Sequence, residues 1–339
     1  MQTYRLTAGA GIGGLERADT PTPTPAAHEV VVRTHAVSLN YRDLMFARGN
    51  YINTPARPIV PLADGAGEVV AIGAAVTRFK PGDRVVNTYF VDWIDGEPTP
   101  ENTAVSFGAH TDGVLAEAFV AHENALVPIP AHLDYVEAAT LSCAGITAWN
   151  TLFVTGGLKP GSSVLLLGTG GVSIYALQLA KAAGLRAIIT SSSDAKLERA
   201  RALGADATIN YRDNPEWQEE VLRLTGQRGV NLVVEVGGEG TLERSLAAVR
   251  MGGTVAVIGG VSGFGGTVMQ PLGLIAGTRR LAGIFVGSRT MLEGLNRFVE
   301  TAGIHPVIDR VFDFDQAREA YEHLEAGRHF GKVVIRVGS

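Results

Sequence analysis

The sequence predicts an α/β protein in which a β-rich body precedes a doubly wound parallel sheet. Two observations carry this expectation. Up to residue 127, short Val-rich segments such as EVVVRTHAV, GAGEVVAIG and DRVVNTYF are broken by Gly, Pro and Asp at close spacing, the pattern of an all-β body with turns. Beyond it the rhythm changes to strand, glycine, helix, which implies parallel strands covered on both faces.

The elements follow in order. PTPTP at 21–25 is a stiff connector rather than a strand. In the second part SVLLLG precedes the helical VSIYALQLAKAAG, RAIITS precedes DAKLERARALG, and ATINY precedes PEWQEEVLRLTG. NLVVEVGG precedes TLERSLAAVRMG, and TVAVIGG closes the set. RRLAGIFVG at 279–287 reads as a late strand with an unpaired edge, which invites a second copy to pair there across a two-fold axis, so a homodimer is expected. The final stretch, residues 305–337, again mixes strand and helix and is expected to return to the first domain. The expected domains are 1–127, 128–300 and the returning 301–339.

Composition narrows the function. The chain has 339 residues and 46% apolar side chains, enough for two domains with cores. No run of about twenty apolar residues occurs and the first residues lack the pattern of an export signal, so a cytoplasmic protein without a membrane partner is expected. The single cysteine, Cys143, rules out intrachain disulfides and a four-thiolate zinc site. A formal charge of -5 with no basic block argues against nucleic acid, which leaves small molecules as partners.

The stretch VLLLGTGGVS carries the clearest chemistry. Gly168, Gly170 and Gly171 follow a buried strand and open a helix, the context of a dinucleotide site. Gly168 permits the tight turn, and Gly170 lets a pyrophosphate approach the backbone and the helix N-terminal amides. Ser173 stands where the pattern has its third glycine, and a serine is small enough for close helix–strand packing.

Taken together, SLNYRD and GNY within 38–51, PLADGAGEVVAIG, FKPGDRVV, DGVLAEAFV, EAATLSCAGITAWNTL, GTGGVS and LGADATINYR occur in the order found in the medium-chain dehydrogenase/reductase superfamily. Over nearly its whole length the chain resembles the zinc-free, quinone-oxidoreductase-like branch. The resemblance implies a GroES-like β domain built from both chain ends, a Rossmann domain between them and a cofactor in the cleft. In zinc-dependent relatives the metal-ligand columns correspond here to Asn40, Ala63 and Cys143. Ala63 has no donor atom and Asn40 is a poor zinc ligand, so no metal is expected.

Without a Lewis acid, the expected chemistry is hydride transfer from NAD(P)H to a quinone or a carbonyl-conjugated alkene, whose developing charge spreads onto an oxygen that hydrogen bonds stabilise. A zinc-free alcohol or aldehyde dehydrogenase and a non-catalytic NADP(H)-binding sensor are the alternatives. The candidate catalytic residues are Asn40, as a donor to the substrate oxygen, and Tyr41 and Tyr51, as hydrogen-bond or proton donors. The competing role for Asn40 is bracing the backbone, and for each tyrosine a ring at a domain boundary. Asp43 is expected to brace the NYRD turn, and Cys143 to be an inert buried thiol.

For the cofactor, the resemblance points to Thr147, Gly168, Thr169, Gly170, Gly171, Val172, Gly237, Gly259, Val286 and Ser288. Glu235 precedes Gly237, and the glycine rather than the carboxylate is expected to face the cofactor. NADP(H) is expected over NAD(H). An acidic residue that would repel a 2′-phosphate belongs about twenty residues past the glycines; Ser192 stands in that column, between Ser191 and Ser193. In NADP-using quinone reductases a lysine and a tyrosine bind that phosphate, and Lys196 and Tyr211 occupy the matching places. Asp194 turned toward a ribose, with Lys196 merely solvated, is the opposing reading.

Overall fold

The computed structural model describes residues 1–266 and 271–338. The chain divides into two compact units, one made of residues 1–146 and 286–339, the other of residues 147–285. The C-terminal stretch belongs to the first unit, and the units divide at 146/147 and 285/286, where the sequence suggested 127 and 300. The physical reason is packing. Leu126–Pro128 is still a strand of the first unit's sheet, paired with Arg84–Asn87, and the helix Arg289–Ala302 sends the Asn296 amide to the Pro128 carbonyl at 2.9 Å.

The first unit is built on a seven-stranded sheet. Its longest strand, Glu29–Leu39, pairs antiparallel with Asp64–Ile72 on one side and with Lys332–Arg336 on the other. Val30, Val32, Val37 and Leu39 are buried, so the Val-rich texture fills a core. Gly67 is required by its neighbours here. A Cβ on it would lie 2.0 Å from the Arg33 carbonyl oxygen, so the two central strands approach this closely only because the side chain is absent. The C-terminal strand brings Lys332 beside Leu39, directly next to the NYRD turn.

The second unit is the doubly wound sheet. We number its strands β1 (Ser163–Leu166), β2 (Arg186–Ser191), β3 (Ala207–Asn210), β4 (Val230–Glu235), β5 (Val249–Val257) and β6 (Arg280–Gly283). All neighbours are parallel, in the order β3-β2-β1-β4-β5-β6, so the strand order reverses between β1 and β4. Its helices include α1 (Gly171–Ala182), α2 (Asp194–Ala202), α3 (Trp217–Leu224) and α4 (Leu242–Ala248). Leu165, Ile188, Val233 and Val255 from the sheet pack with Trp217 and Val221 of α3, which is why the strands read as unbroken apolar runs.

Two elements of this unit differ from the expectation. The helix read from TLERSLAAVRMG stops at Ala248, and Val249 already takes extended backbone and pairs with Val230. The sheet claims VRMG because its β-branched residue finds a parallel partner, and Gly252, at φ 68°, turns the chain within the strand. Strand β6 is shorter than RRLAGIFVG suggested and is the outermost strand among the described residues. No helix among the described residues is long and apolar enough to cross a membrane.

Candidate active site

The short helix Tyr41–Ala47 follows directly on the strand Glu29–Leu39, and Asn40 is the junction. Asp43 closes the turn: its carboxylate accepts the Asn40 backbone N–H at 2.8 Å, the bracing role read from NYRD. The Asn40 side chain lies in a buried polar network. Its Nδ2 donates to the Asp64 carboxylate at 2.9 Å, and its Oδ1 accepts from the Lys332 ammonium at 2.6 Å. Lys332 also donates to the Leu39 carbonyl at 2.7 Å, and Ser38 Oγ donates to the same Asp64 oxygen at 3.3 Å. The second Nδ2 hydrogen of Asn40 takes no part in these bonds.

The electrostatics follow from burial. Burial raises the Asp64 pKa, against the opposing pull of Lys332 and the Asn40 hydrogen bond. Burial pushes Asp43 up to about 6, with Arg42 and the Asn40 N–H acting the other way. Cys143 lies in a π-helical turn, Leu141–Gly145, half-buried rather than fully buried as expected, and desolvation pushes its thiol well above the usual range. Among the described residues no group of three or more His, Cys, Asp or Glu side chains converges in a way that would hold a metal ion.

The three catalytic candidates bond to different partners. Tyr41 is half-buried and its hydroxyl interacts with Arg48, which in turn binds Glu325 at 2.8 Å. Tyr51 instead meets Tyr89, hydroxyl to hydroxyl at 2.8 Å. Lys332, Arg42 and Tyr89 escaped the sequence reading. Arg42 and Tyr89 sit in segments already quoted, NYRD and DRVVNTYF, and Lys332 in the returning C-terminal stretch, but which side chains they touch depends on strands distant in the chain.

In the second unit the glycine turn joins β1 to α1. Gly168 has φ 72°, and a Cβ there would meet nothing within 4 Å, so its missing side chain serves the backbone conformation and leaves open space above the turn. Gly170 caps α1 without a side-chain hydrogen bond, leaving first-turn amides free of any side-chain cap. Ser173 Oγ donates to the Leu167 carbonyl at 2.6 Å, so the serine in place of the third glycine ties α1 to the end of the β1 segment. Thr169 is buried, while Gly171 and Val172 are partly exposed at the start of α1.

At the ends of β2 and β3 the Tyr211 N–H donates to the Ser191 carbonyl at 3.0 Å, which brings the INY tyrosine beside the serines. Ser192 and Lys196 are partly exposed and the Tyr211 ring is exposed. Asp194 accepts from the Asn210 amide at 2.9 Å, so its carboxylate is engaged with β3. The Glu235 carboxylate is fully buried and accepts from the N–H groups of Gly237 and Gly238, at 2.7 and 3.0 Å, and from the hydroxyls of Thr241 and Ser245. It therefore shapes the loop that presents Gly237. Gly259 follows β5, and Thr147, buried, begins the unit.

Val286 and Ser288 fall in the first unit. Val286 holds φ 56°, unusual for a β-branched residue, and Ser288 caps the helix Arg289–Ala302.

Two family models match. That of the alcohol dehydrogenase GroES-like domain covers residues 26–131, and that of the zinc-binding dehydrogenases covers residues 171–301. A zinc-type alcohol dehydrogenase-like protein of Schizosaccharomyces pombe is 44% identical over 314 residues, 91% of each chain. The chain belongs to the medium-chain dehydrogenase/reductase superfamily. Among solved members of the superfamily, an NAD-dependent alcohol dehydrogenase superposes with a TM-score of 0.91 at 36% identity over the full length of both chains. A quinone oxidoreductase of Pseudomonas syringae superposes at 0.84 with 29% identity and 99% coverage of each. Like other medium-chain dehydrogenases/reductases, the chain is an oxidoreductase that uses a nicotinamide cofactor.

Proposed function

We propose that this chain transfers hydride from NADPH to a quinone or a carbonyl-activated alkene without zinc. One observation carries the reading: the residue in the first metal-ligand column, Asn40, spends its carbonyl oxygen on Lys332 and one N–H on Asp64, and Ala63 in the second column has no donor atom. Cys143 alone does not make a zinc site, and its thiol is held protonated by burial. The glycine turn fits a dinucleotide, whose pyrophosphate the amides after Gly170 would hold. The bound cofactor supplies the hydride.

The remaining chemistry belongs to the protein. Asn40 directs its free N–H to the substrate oxygen, and Tyr51 supplies a proton. Tyr41, engaged with Arg48, has no assigned part. Ser191, Ser192, Lys196 and Tyr211 receive the 2′-phosphate, supported by the engagement of the neighbouring Asp194 with Asn210.

The test is a panel of quinones, enones and aldehydes with NADPH and NADH, run with and without chelator and accompanied by metal analysis. Reduction of quinones or enones that prefers NADPH and survives chelation is expected. Tightly bound zinc whose removal abolishes activity would overturn the zinc-free reading, and turnover confined to aldehydes would favour the alcohol dehydrogenase alternative. Tight cofactor binding without turnover of any electrophile would favour a sensor.

A further inference from the structure

The Tyr51 hydroxyl belongs to a constellation that NYRD alone does not reveal. Its partner at 2.8 Å, the Tyr89 hydroxyl, lies just past the strand Arg84–Asn87 on a side chain that is almost wholly buried. The Arg42 guanidinium lies against both rings, with Cζ 4.8 Å from the Tyr51 ring centre and 5.1 Å from that of Tyr89. Arg42 is anchored by one bond, from Nη1 to the Phe107 carbonyl at 2.7 Å, with the Asp43 carboxylate at 3.8 Å. Its Nε and Nη2 are buried without a hydrogen-bond acceptor, so much of this cation's compensation comes from the two aromatic faces.

The two hydroxyls are not equivalent. Burial holds Tyr89 well above the usual tyrosine range, outweighing the opposing effect of Arg42, so Tyr89 keeps its proton. Tyr51 is half-buried and reaches solvent. The other titratable groups around the pair and Arg42 are Asp43, Asp64, Tyr321, Cys143, and His110, whose ring centre is 5.9 Å from that of Tyr51. Burial and Arg42 lower the His110 pKa, and its Nδ1 accepts the Ser106 N–H at 3.2 Å, so it faces Tyr51 as a neutral ring.

We propose that Tyr89 and Arg42 are positioning residues for Tyr51: Tyr89 donates its hydroxyl hydrogen to the Tyr51 oxygen, and Arg42 stabilises the negative charge left there when Tyr51 gives up its proton. This rests on the reading of Tyr51 as proton donor. In that reaction the substrate gains two electrons with the hydride, and the cofactor is oxidised. The Tyr51 O–H bond breaks as an O–H bond forms on the substrate, and the phenolate recovers a proton from water. The donor and the cation are in place beforehand, so no reorganisation is needed as the charge appears.

The experiment compares wild type with Tyr51→Phe, Tyr89→Phe, the double variant and Arg42→Lys. The first readout uses protein without cofactor: tyrosinate absorbance during alkaline titration, in which the wild-type minus Tyr51→Phe difference isolates one ionisation. In the Tyr89→Phe background that ionisation is expected to move to higher pH, and a smaller move in the same direction is expected for Arg42→Lys. An unmoved ionisation in Tyr89→Phe overturns the proposal.

The second readout is turnover. Tyr89→Phe should lower kcat by about tenfold, the scale of one hydrogen bond to a charged group, with KM within about twofold, and should have no further effect once Tyr51 is Phe. Equal losses in both backgrounds overturn it. If no electrophile is turned over, the proposed function fails, and the titration still decides whether Tyr89 and Arg42 act on Tyr51.

Discussion

Lys332 Nζ lies 2.6 Å from Asn40 Oδ1 and 3.7 Å from the Asp64 carboxylate, so one buried ammonium serves both the amide and the acid beside the proposed substrate position. Removing it leaves Asp64 buried with its hydrogen bonds and only the weaker pull of Arg42 against its charge. Lys332→Met is expected to lose roughly 3–5 kcal/mol of stability by urea unfolding, and Lys332→Met combined with Asp64→Asn to recover part of that loss. A loss below about 1 kcal/mol would show that the ammonium is not compensating the acid.

Asp43 carries a pH dependence of definite sign. Its carboxyl, at about 6 in the folded protein against an ordinary value of 3.8, binds more protons folded than unfolded between those values. Its contribution to stability is therefore full below the ordinary value and is lost as pH rises through about 6. Asp43→Asn keeps an oxygen for the Asn40 N–H and removes the titration. Its stability relative to wild type should improve as pH rises across that window, measured by denaturant midpoints, and a flat difference would contradict the assignment.

Lys196→Ala tests cofactor choice. If the ammonium meets the 2′-phosphate, the variant should bind NADPH more weakly by roughly 1.5–3 kcal/mol and NADH almost unchanged in fluorescence titrations. Equal losses for both cofactors, or a wild-type preference for NADH, would show that the Ser191 to Tyr211 cluster is not a phosphate site.

The edge of the second unit's sheet bears on assembly. Strand β6 has one described neighbour, β5, and the helix Pro271–Gly277 just before it exposes Leu272 and Ile275. Light scattering at micromolar concentration is expected to give a dimer mass, reduced to a monomer by Leu272→Asp with Ile275→Asp. A monomeric wild type would remove the sheet edge as an interface.

The order of the parallel sheet's elements was legible because each reports locally. SVLLLG, RAIITS and NLVVEVGG are short β-branched or leucine runs, and the helices between them carry a different period. The end of α4 was not legible. VRMG suits a helix as well as a strand, and only the parallel partner Val230, reached across the sheet, decides it. At the glycine turn Ser173 looked like a tolerated substitution, whereas its hydroxyl bonds the Leu167 carbonyl, a contact visible only once helix and strand are placed.

By itself the sequence determined the two-part architecture and the glycine turn at Gly168 to Gly171 between a strand and a helix, because each is a property of residue type and near-neighbour spacing. Only the tertiary structure decided which candidates share a site. Asn40 is joined to Lys332 and Asp64, Tyr51 to Tyr89 and Arg42, and Tyr41 is turned toward Arg48. The reason is that hydrogen bonds and buried charges choose partners by distance in space, and the sheet of the first unit brings Leu39 against Val333, far apart in the chain, so no local pattern could announce the pairing.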